Sequence, residues 1–403
     1  MSTPSKYETR ISENQHWDIC VVGAGSAGFS AAITAADAGA KVLLIGFGTI
    51  GGTCVNVGCV PSKALMRAVE PVFLASASAR FAGVQAQAQI SDWAALNQQK
   101  QDLVDQLRQA KYIDVLPGYD NVSYVQGEAR FAKNGVLQVD GTDIRTDKII
   151  LATGAHAATP DISNIENTSF LTSTSALELE ELPVSMTIVG AGYIGVEIAQ
   201  IFSRAGVEVN LVSRRGLLPE GEPEISEALS GYFREEGINL HRVKSYEHVE
   251  ENGDEFLLHV RGETGLETIG AQKLMLATGR AANTKGLNLM DGGVHMRPNG
   301  SIIVDAQMCT SREDVYAAGD VTGQDQFVYM AAYGAKIAAK NALNNGALRY
   351  DNSIMPSVVF CDPQVADVGL SEAKAAAKGI EVKTSIFTLD NLPRALAARD
   401  TRG

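Results

Sequence analysis

Residues 18–45 read DICVVGAGSAGFSAAITAADAGAKVLLI. An apolar, β-rich run leads into the turn Gly23-Ala24-Gly25-Ser26-Ala27-Gly28, an Ala-rich helical stretch and a second apolar run. This order predicts a strand, a glycine turn, a helix and a parallel strand. Glycines at G-x-G-x-x-G spacing let the turn tighten and let the backbone approach a pyrophosphate at the helix N-terminus. The stretch therefore predicts a dinucleotide-binding βαβ unit.

The same pattern recurs once, later in the chain. A predicted strand at residues 185–189 is followed by Gly190-Ala191-Gly192-Tyr193-Ile194-Gly195, a helical stretch and a strand at residues 208–212. A lone glycine motif is weak evidence, whereas two inside complete βαβ frames are strong evidence. The repeat predicts an α/β protein that binds two dinucleotides.

The residue at the end of the second strand in each unit indicates which dinucleotide binds. An acidic side chain at that position accepts a hydrogen bond from the 2′-OH of a ribose. The second unit has Arg214 and Arg215 instead, which suit a 2′-phosphate and favour NADPH over NADH; the alternative is a solvated surface pair. The first unit has Gly46 where an acid is expected.

Two further segments each place an apolar strand before Ala-Thr-Gly, at residues 148–154 and 273–279. They indicate that each dinucleotide domain returns to its sheet there, with boundaries near 155 and 282. A third strand ends in Gly319-Asp320, which could direct a carboxylate at ligand hydroxyls or be an ordinary exit from a strand.

Cys54 and Cys59 lie in Gly51-Gly52-Thr53-Cys54-Val55-Asn56-Val57-Gly58-Cys59-Val60-Pro61-Ser62-Lys63. Cysteines five apart can meet only in a distorted helix, which Gly58 and Pro61 permit. No second Cys/His cluster exists to complete a zinc site. A helix start and a nearby lysine lower a thiol pKa, so a redox-active pair is favoured over a static disulfide.

The composition of the 403 residues excludes several classes. With 45% apolar and 20% charged residues the chain should fold into domains with a large core. The net charge of −13 argues against nonspecific nucleic-acid binding. No membrane span or signal peptide is recognisable, which predicts a cytoplasmic protein. Cys20, Cys309 and Cys361 are expected to be structural thiols.

The segment at residues 51–63 resembles the active-site signature of the FAD-dependent pyridine nucleotide disulfide oxidoreductases. The resemblance covers nearly the whole chain, including both glycine motifs, both Ala-Thr-Gly segments and the Gly319-Asp320 strand. It implies two Rossmann-like domains, for FAD and NADPH, plus a truncated α+β dimerisation domain. The implied division is an FAD domain at 1–155, continued at 283–346, an NADPH domain at 156–282 and an interface domain at 347–403.

The resemblance also implies roles for individual residues. Cys59 would face the flavin as a charge-transfer thiolate, Cys54 would be the interchange thiol, Lys63 beside the flavin would pair with Glu197, and Tyr193 would cover the nicotinamide pocket. The implied FAD-binding residues are Gly23, Gly25, Ser26, Ala27, Gly28, Gly52, Thr53, Lys63, Ala152, Thr153, Gly154, Asp320 and Val328. The implied NADPH-binding residues are Gly190, Gly192, Tyr193, Ile194, Gly195, Arg214, Arg215 and Gly279.

Three segments, at residues 326–329, 388–396 and 400–403, look most like the mercuric reductase branch of this family. That branch implies Hg(II) as the substrate, bound by Cys54 and Cys59. The alternatives are an NADPH disulfide reductase or dihydrolipoamide dehydrogenase relative, acting on a small thiol or disulfide, and a non-catalytic flavin-binding subunit. Because the family's C-terminal catalytic residues are not found before Gly403, we expect a fragment with impaired turnover, from a protein that is a homodimer at full length.

Overall fold

The computed structural model describes residue 11 and residues 15–344 and 346–403. The helices are α1 (Ser26–Asp37), α2 (Gly52–Asn56), α3 (Cys59–Ala77), α4 (Trp93–Arg108), α5 (Ser173–Leu177), α6 (Tyr193–Arg204), α7 (Pro223–Glu235), α8 (Val328–Asn344), α9 (Glu372–Ala377) and α10 (Pro393–Ala398). The strands are β1 (His16–Val22), β2 (Val42–Gly46), β3 (Val122–Gln126), β4 (Ala129–Phe131), β5 (Leu137–Val139), β6 (Thr142–Asp143), β7 (Arg145–Leu151), β8 (Ala155–Ala157), β9 (Ser185–Val189), β10 (Glu208–Ser213), β11 (Asn239–Arg242), β12 (Ser245–Asn252), β13 (Glu255–Arg261), β14 (Leu266–Ala271), β15 (Lys273–Leu276), β16 (Arg280–Ala282), β17 (Val315–Ala317), β18 (Pro356–Val359) and β19 (Val365–Val368).

The chain divides into two compact units. Of the described residues, the first unit contains those up to Val60 and those within Asp102–His156 and Arg280–Asn352, and the second contains Pro61–Gln101, Ala157–Gly279 and Ser353–Gly403. The chain crosses between units close to the boundaries predicted at 155 and 282, and residues 61–101 join the second unit. The division into named domains stays a prediction.

A parallel sheet in the order β17-β7-β1-β2-β3 forms the centre of the first unit. Strands β1 and β2 at its centre are buried at most positions, and α1 packs against both. Cys20, for example, is fully buried between Leu43 and Ile149 of the neighbouring strands. Helices α1 and α8 pack closely, and Gly319 lies between them where a Cβ would be 3.1 Å from Ala27 and 3.2 Å from Ala331.

The second unit contains a parallel sheet in the order β11-β10-β9-β15. An antiparallel sheet, β12-β13-β14, packs beside it around a separate apolar cluster. The antiparallel pair β18–β19 belongs to this unit as well. Two parallel βαβ sheets confirm the predicted α/β fold with two dinucleotide-type frames.

One local prediction is wrong. The apolar residues at 382–389 predict a strand, but the structure has no strand there, only a 3₁₀ turn at Leu389–Asn391. Ile386 and Phe387 are 71% and 68% exposed. A strand needs a partner and a buried face, and this segment has neither within the described residues. The neighbouring residues 372–378 predict a helix, which is present as α9.

None of the helices in residues 15–344 and 346–403 has the length and apolar character that a membrane span requires.

Candidate active site

The two cysteines of the central motif lie on two successive short helices. Cys54 is in α2, Cys59 begins α3, and the chain breaks between them at Val57 and Gly58. A Cβ on Gly58 would lie 3.0 Å from the Thr53 carbonyl oxygen, so the tight break requires a small residue. Cys54 is half-buried and Cys59 is exposed. The distortion predicted from Gly58 takes the form of this break, and a new helix starts at the second thiol.

Two polar residues that the sequence did not single out brace this segment. The Asn56 side chain donates to the carbonyl oxygens of Ile50 and Gly52, at 2.9 Å each. Arg108 in turn donates to Asn56 Oδ1 at 3.1 Å. These bonds fix the start of α2, and the distance in sequence between Asn56 and Arg108 explains why no local pattern revealed them.

Tyr112 connects the cysteine segment to the first glycine motif. Its hydroxyl lies 3.0 Å from Ser26 Oγ, and its ring packs edge-on against Phe29. Burial raises the pKa of Tyr112, and the nearby thiols of Cys54 and Cys59 act in the same direction. Tyr112 is therefore a further member of the candidate site, and it too was missed in the sequence.

The first glycine motif is shaped by contacts that exclude side chains. A Cβ on Gly23 would overlap the Ala152 carbonyl oxygen, one on Gly28 would overlap the Gly23 carbonyl oxygen, and one on Gly52 would lie 2.6 Å from Gly25 Cα. Helix α1 has Gly25 as its N-cap, without a side-chain cap and without an acid in its first turn. Its N–H groups therefore suit a phosphate, so the residues present fit FAD.

The second glycine motif repeats this construction. A Cβ on Gly190 would overlap the Ala277 carbonyl oxygen. In the first motif, a Cβ on Gly23 would overlap the Ala152 carbonyl oxygen in the same way. Helix α6 also starts after an uncapped glycine, Gly192, with no acid in its first turn. A Cβ on Gly192 would meet nothing within 4 Å, so the turn is open to a ligand. This end of α6 fits the pyrophosphate of a pyridine nucleotide.

The two arginines after β10 have different surroundings. The Arg215 guanidinium pairs with Glu220 at 2.9 Å, and both side chains are mostly exposed. The Arg214 guanidinium lies over the Tyr246 ring, 5.6 Å from its centroid, and no ion pair of Arg214 is found in the described part of the chain. Of the two predicted phosphate ligands, Arg214 is the one whose charge is not matched by a carboxylate.

The expected ion pair between Lys63 and Glu197 is present. Lys63 Nζ lies 2.6 Å from Glu197 Oε2, and the other carboxylate oxygen accepts from the Phe360 N–H at 3.0 Å. The Glu197 side chain is only 8% exposed, whereas that of Lys63 is 33% exposed. The Phe360 ring also lies 4.9 Å from Lys63 Nζ. Both oxygens of a buried carboxylate are thus occupied, which fixes the orientation of Lys63.

Glu197 belongs to a stripe of polar side chains along α6, which we call the α6 stripe. Its members are Tyr193, Glu197, Gln200 and Arg204, spaced to lie on one face of the helix. Each bonds to residues 357–362: Tyr193 to Ser357, Glu197 to the Phe360 N–H, and Gln200 and Arg204 to Asp362. The stripe therefore holds the dinucleotide-binding helix against β18 and the residues after it.

Asp320 is placed by Arg280, another residue that was not predicted. Arg280 Nε lies 3.4 Å from Asp320 Oδ2, and the guanidinium also donates to the Ala155 carbonyl oxygen and, at 3.5 Å, to Thr53 Oγ1. Burial raises the pKa of Asp320, and Arg280 partly opposes that rise. Arg280 directly follows the second Ala-Thr-Gly segment, a position that could have drawn attention to it.

The remaining predicted FAD and NADPH residues lie in the same two frames. Ala152, Thr153 and Gly154 follow β7, and Thr153 Oγ1 donates to the Asn283 carbonyl oxygen at 2.7 Å. Val328 is the first residue of α8. In the second unit, Ile194 packs against the core, and Gly279 has a φ of +124°.

Tyr124 occupies the place beside Gly46. A Cβ on Gly46 would overlap the Tyr124 hydroxyl and lie 2.9 Å from the ring carbon Cε2. Tyr124 is 6% exposed and lies on β3, which pairs with β2. The absence of an acid at residue 46 is therefore matched by a large buried side chain from the next strand.

The other three cysteines have the character expected of structural thiols. Cys20 and Cys361 are buried and Cys309 is half-buried. Burial raises the pKa of Cys361 to about 12 and raises those of Cys20 and Cys309 as well. Thiols with raised pKa values are poor nucleophiles at neutral pH, so Cys54 and Cys59 remain the candidates for redox chemistry.

Comparisons with known proteins agree with this geometry. The chain is 43% identical over 389 residues to a mercuric reductase of Lysinibacillus sphaericus, covering 96% of this chain and 71% of the relative. It is 42% identical over 403 residues to a mercuric reductase of Staphylococcus aureus, covering 100% of this chain and 73% of the relative. The solved HOCl-induced flavoprotein disulfide reductase RclA from Escherichia coli, in its Cu(II) complex, is 29% identical with a TM-score of 0.83, covering 96% and 85% of the two chains.

The model of the pyridine nucleotide-disulphide oxidoreductases matches residues 17–339, and the model of their dimerisation domain matches residues 355–403. Together with the two uncapped glycine turns and the cysteine motif, these matches show that the chain belongs to the pyridine nucleotide-disulphide oxidoreductase family.

Proposed function

We propose that the protein passes electrons from NADPH through FAD to the Cys54/Cys59 pair and reduces Hg(II) to Hg(0). The observation that carries this proposal is the cysteine motif, with one thiol in α2 and the other at the start of α3, in a chain about 40% identical to mercuric reductases. Soft thiolates suit a soft metal ion such as Hg(II).

Bound FAD would supply the two-electron relay between a nicotinamide and a disulfide. The chain's own residues bind and orient: the open ends of α1 and α6 receive phosphates, and Arg214 pairs with the 2′-phosphate. Glu197 holds Lys63 in place, and Asp320 with Arg280 forms a polar site in the first unit. The Cys54 and Cys59 thiolates would bind Hg(II); two electrons from NADPH, passed on by the bound flavin, would reduce it to Hg(0), which leaves, and both thiolates are regenerated. This reduction needs no proton from a general acid.

The assay uses the full chain loaded with FAD, NADPH, and Hg(II) buffered by excess small thiol. We expect NADPH oxidation that depends on Hg(II) and is matched by volatilised Hg(0). Cys54→Ser and Cys59→Ser should each lower the rate at least about 100-fold, whereas Cys309→Ser serves as the matched cysteine control and should not change it. Hg(0) release that survives both active-site substitutions would contradict the assigned roles.

Reduction of a small disulfide is the second candidate, favoured by the similarity to the flavoprotein disulfide reductase RclA. In that case Cys54 attacks the substrate disulfide and a separate group must handle the proton. Glutathione disulfide and lipoamide in the same assay separate the two substrates. Absence of NADPH oxidation with every substrate would favour a non-catalytic flavin-binding role.

We also propose that the protein works as a homodimer in the cytoplasm. The match of residues 355–403 to the family's dimerisation domain supports the first part, and a redox pair that must be regenerated as thiols suits a reducing compartment. Sedimentation equilibrium of the FAD-loaded protein should give twice the chain mass, and a monomer mass would contradict the assembly.

A further inference from the structure

The end of β2 lies beside the first glycine turn. The Gly23 N–H donates to the Ile45 carbonyl oxygen at 2.8 Å, so Gly46 directly follows the residue that is bonded to the turn. In a dinucleotide-binding βαβ unit, the residue at this strand end supplies the acid that hydrogen-bonds the ribose. Gly46 has no side chain, so another group must contact the ribose in the first unit.

The second unit shows which residues of the two strand ends are equivalent. There the N–H of the first glycine of the motif donates to the Val212 carbonyl oxygen, also at 2.8 Å. Ser213 is therefore equivalent to Gly46, and Arg214 is equivalent to Phe47, which is 79% exposed. At these two positions the first unit has neither an acid for ribose hydroxyls nor a cation for a 2′-phosphate.

The Tyr124 hydroxyl lies where a side chain of residue 46 would begin. A Cβ on Gly46 would overlap this hydroxyl. Tyr124 is opposite Leu44 in the pairing of β3 with β2, and its side chain extends from there to the end of β2. A carboxylate at residue 46 would start just beyond that Cβ, so the phenol oxygen lies beside the place of the missing acid. A phenol can donate and accept a hydrogen bond, which suits a ribose hydroxyl.

We propose that the Tyr124 hydroxyl replaces the missing acid, so that this chain binds the adenosine ribose of FAD through a neutral hydrogen bond. This inference rests on the use of FAD in the proposed function. A hydrogen bond between neutral groups is weaker than one to a carboxylate. It changes affinity by about 2- to 10-fold. Tyr124 is thus a FAD-binding residue that stands on β3 instead of β2.

Titration of the flavin-free full chain, followed by flavin fluorescence, compares FAD with two analogues that lack the 2′- or the 3′-hydroxyl of the adenosine ribose. We expect the wild type to bind FAD about 2- to 10-fold more tightly than at least one analogue. Tyr124→Phe should weaken FAD by the same factor and lose this preference, because the ribose hydroxyl no longer has its partner. Tyr316→Phe is the matched control and should keep it, since Tyr316 is also 6% exposed but lies on β17, at the other edge of the sheet.

Gly46→Ala tests the same contact from the other strand. Its added Cβ must displace the Tyr124 hydroxyl, so this variant should also lose the preference for FAD over the analogue. A wild type that binds FAD and both analogues equally, or a preference that survives in Tyr124→Phe or Gly46→Ala, would overturn the proposal. Failure of the wild type to bind FAD or either analogue would instead contradict the use of FAD in the proposed function.

Discussion

At the scale of single residues, Arg214 and Arg215 are adjacent cations whose surroundings separate their roles. Arg215 is paired with Glu220, whereas Arg214 lies over Tyr246. A charge-assisted hydrogen bond contributes roughly 1.5–3 kcal/mol, or about ten- to a hundredfold in affinity. Arg214→Ala should weaken NADPH by that factor and NADH much less, measured as the nucleotide concentration giving half-maximal flavin reduction. Arg215→Ala is the matched control and should have the smaller effect; equal weakening of both nucleotides by Arg214→Ala would reject the assignment.

At the scale of elements, the α6 stripe joins a helix to a strand through buried polar groups, and Arg204 is its buried cation. The Arg204 side chain is 4% exposed and donates to Glu236 and to Asp362, at 2.8 Å each. Arg204→Ala would leave Glu236, whose side chain is 8% exposed, with the more distant Arg402, at 3.5 Å, as its remaining cation among the described residues. Removing one partner of a buried ion pair typically costs about 3–5 kcal/mol. We expect Arg204→Ala to lower the free energy of unfolding by about that amount, measured by urea titration.

The control for Arg204 is Arg67, whose ion pair with Glu70 lies at the surface. Exposed pairs within one helix contribute little, so Arg67→Ala should leave the urea midpoint unchanged. Equal loss of stability in both variants would show that burial of the α6 stripe does not decide its energetic contribution.

At the scale of the whole molecule, charge attaches the last described residues to the rest of the second unit. Asp400 bonds to Arg402 at 2.8 Å and to Arg80 at 3.1 Å. The Arg402 hydrogen bonds, with Arg80 adding to them, lower the pKa of Asp400 to about 2. The folded protein thus binds the Asp400 proton more weakly than the unfolded chain does. This contribution to stability is full above about pH 4 and is lost as the pH falls towards 2.

Asp400→Asn removes that titration and the charge together. We expect the variant to be less stable than the wild type at pH 7 by about 1–2 kcal/mol, with the difference shrinking between pH 4 and pH 2. Urea unfolding at a series of pH values measures it. A difference that stays constant down to pH 2 would mean that Asp400 titrates normally.

The two βαβ frames and the cysteine motif are predictable from the amino-acid sequence alone, because glycines at fixed spacing and the apolar periods of strands and helices are short-range patterns. The pairing of Lys63 with Glu197 was implied by the resemblance to the family. A prediction from local sequence was wrong at residues 382–389. The apolar residues there predicted a strand, but the described structure offers this segment neither a partner strand nor a buried face.

Only the tertiary structure decided which distant side chains complete the site. Tyr112 reaches Ser26 and Tyr124 fills the place beside Gly46, while Ser357 and Asp367 hold Tyr193 through strands that begin more than 160 residues after it. Such contacts depend on how separate elements pack. A single serine or tyrosine does not form a periodic pattern that could be recognised in the sequence. The physical reason is that a backbone pattern is set by neighbours along the chain, whereas a hydrogen bond between side chains is set by neighbours in space.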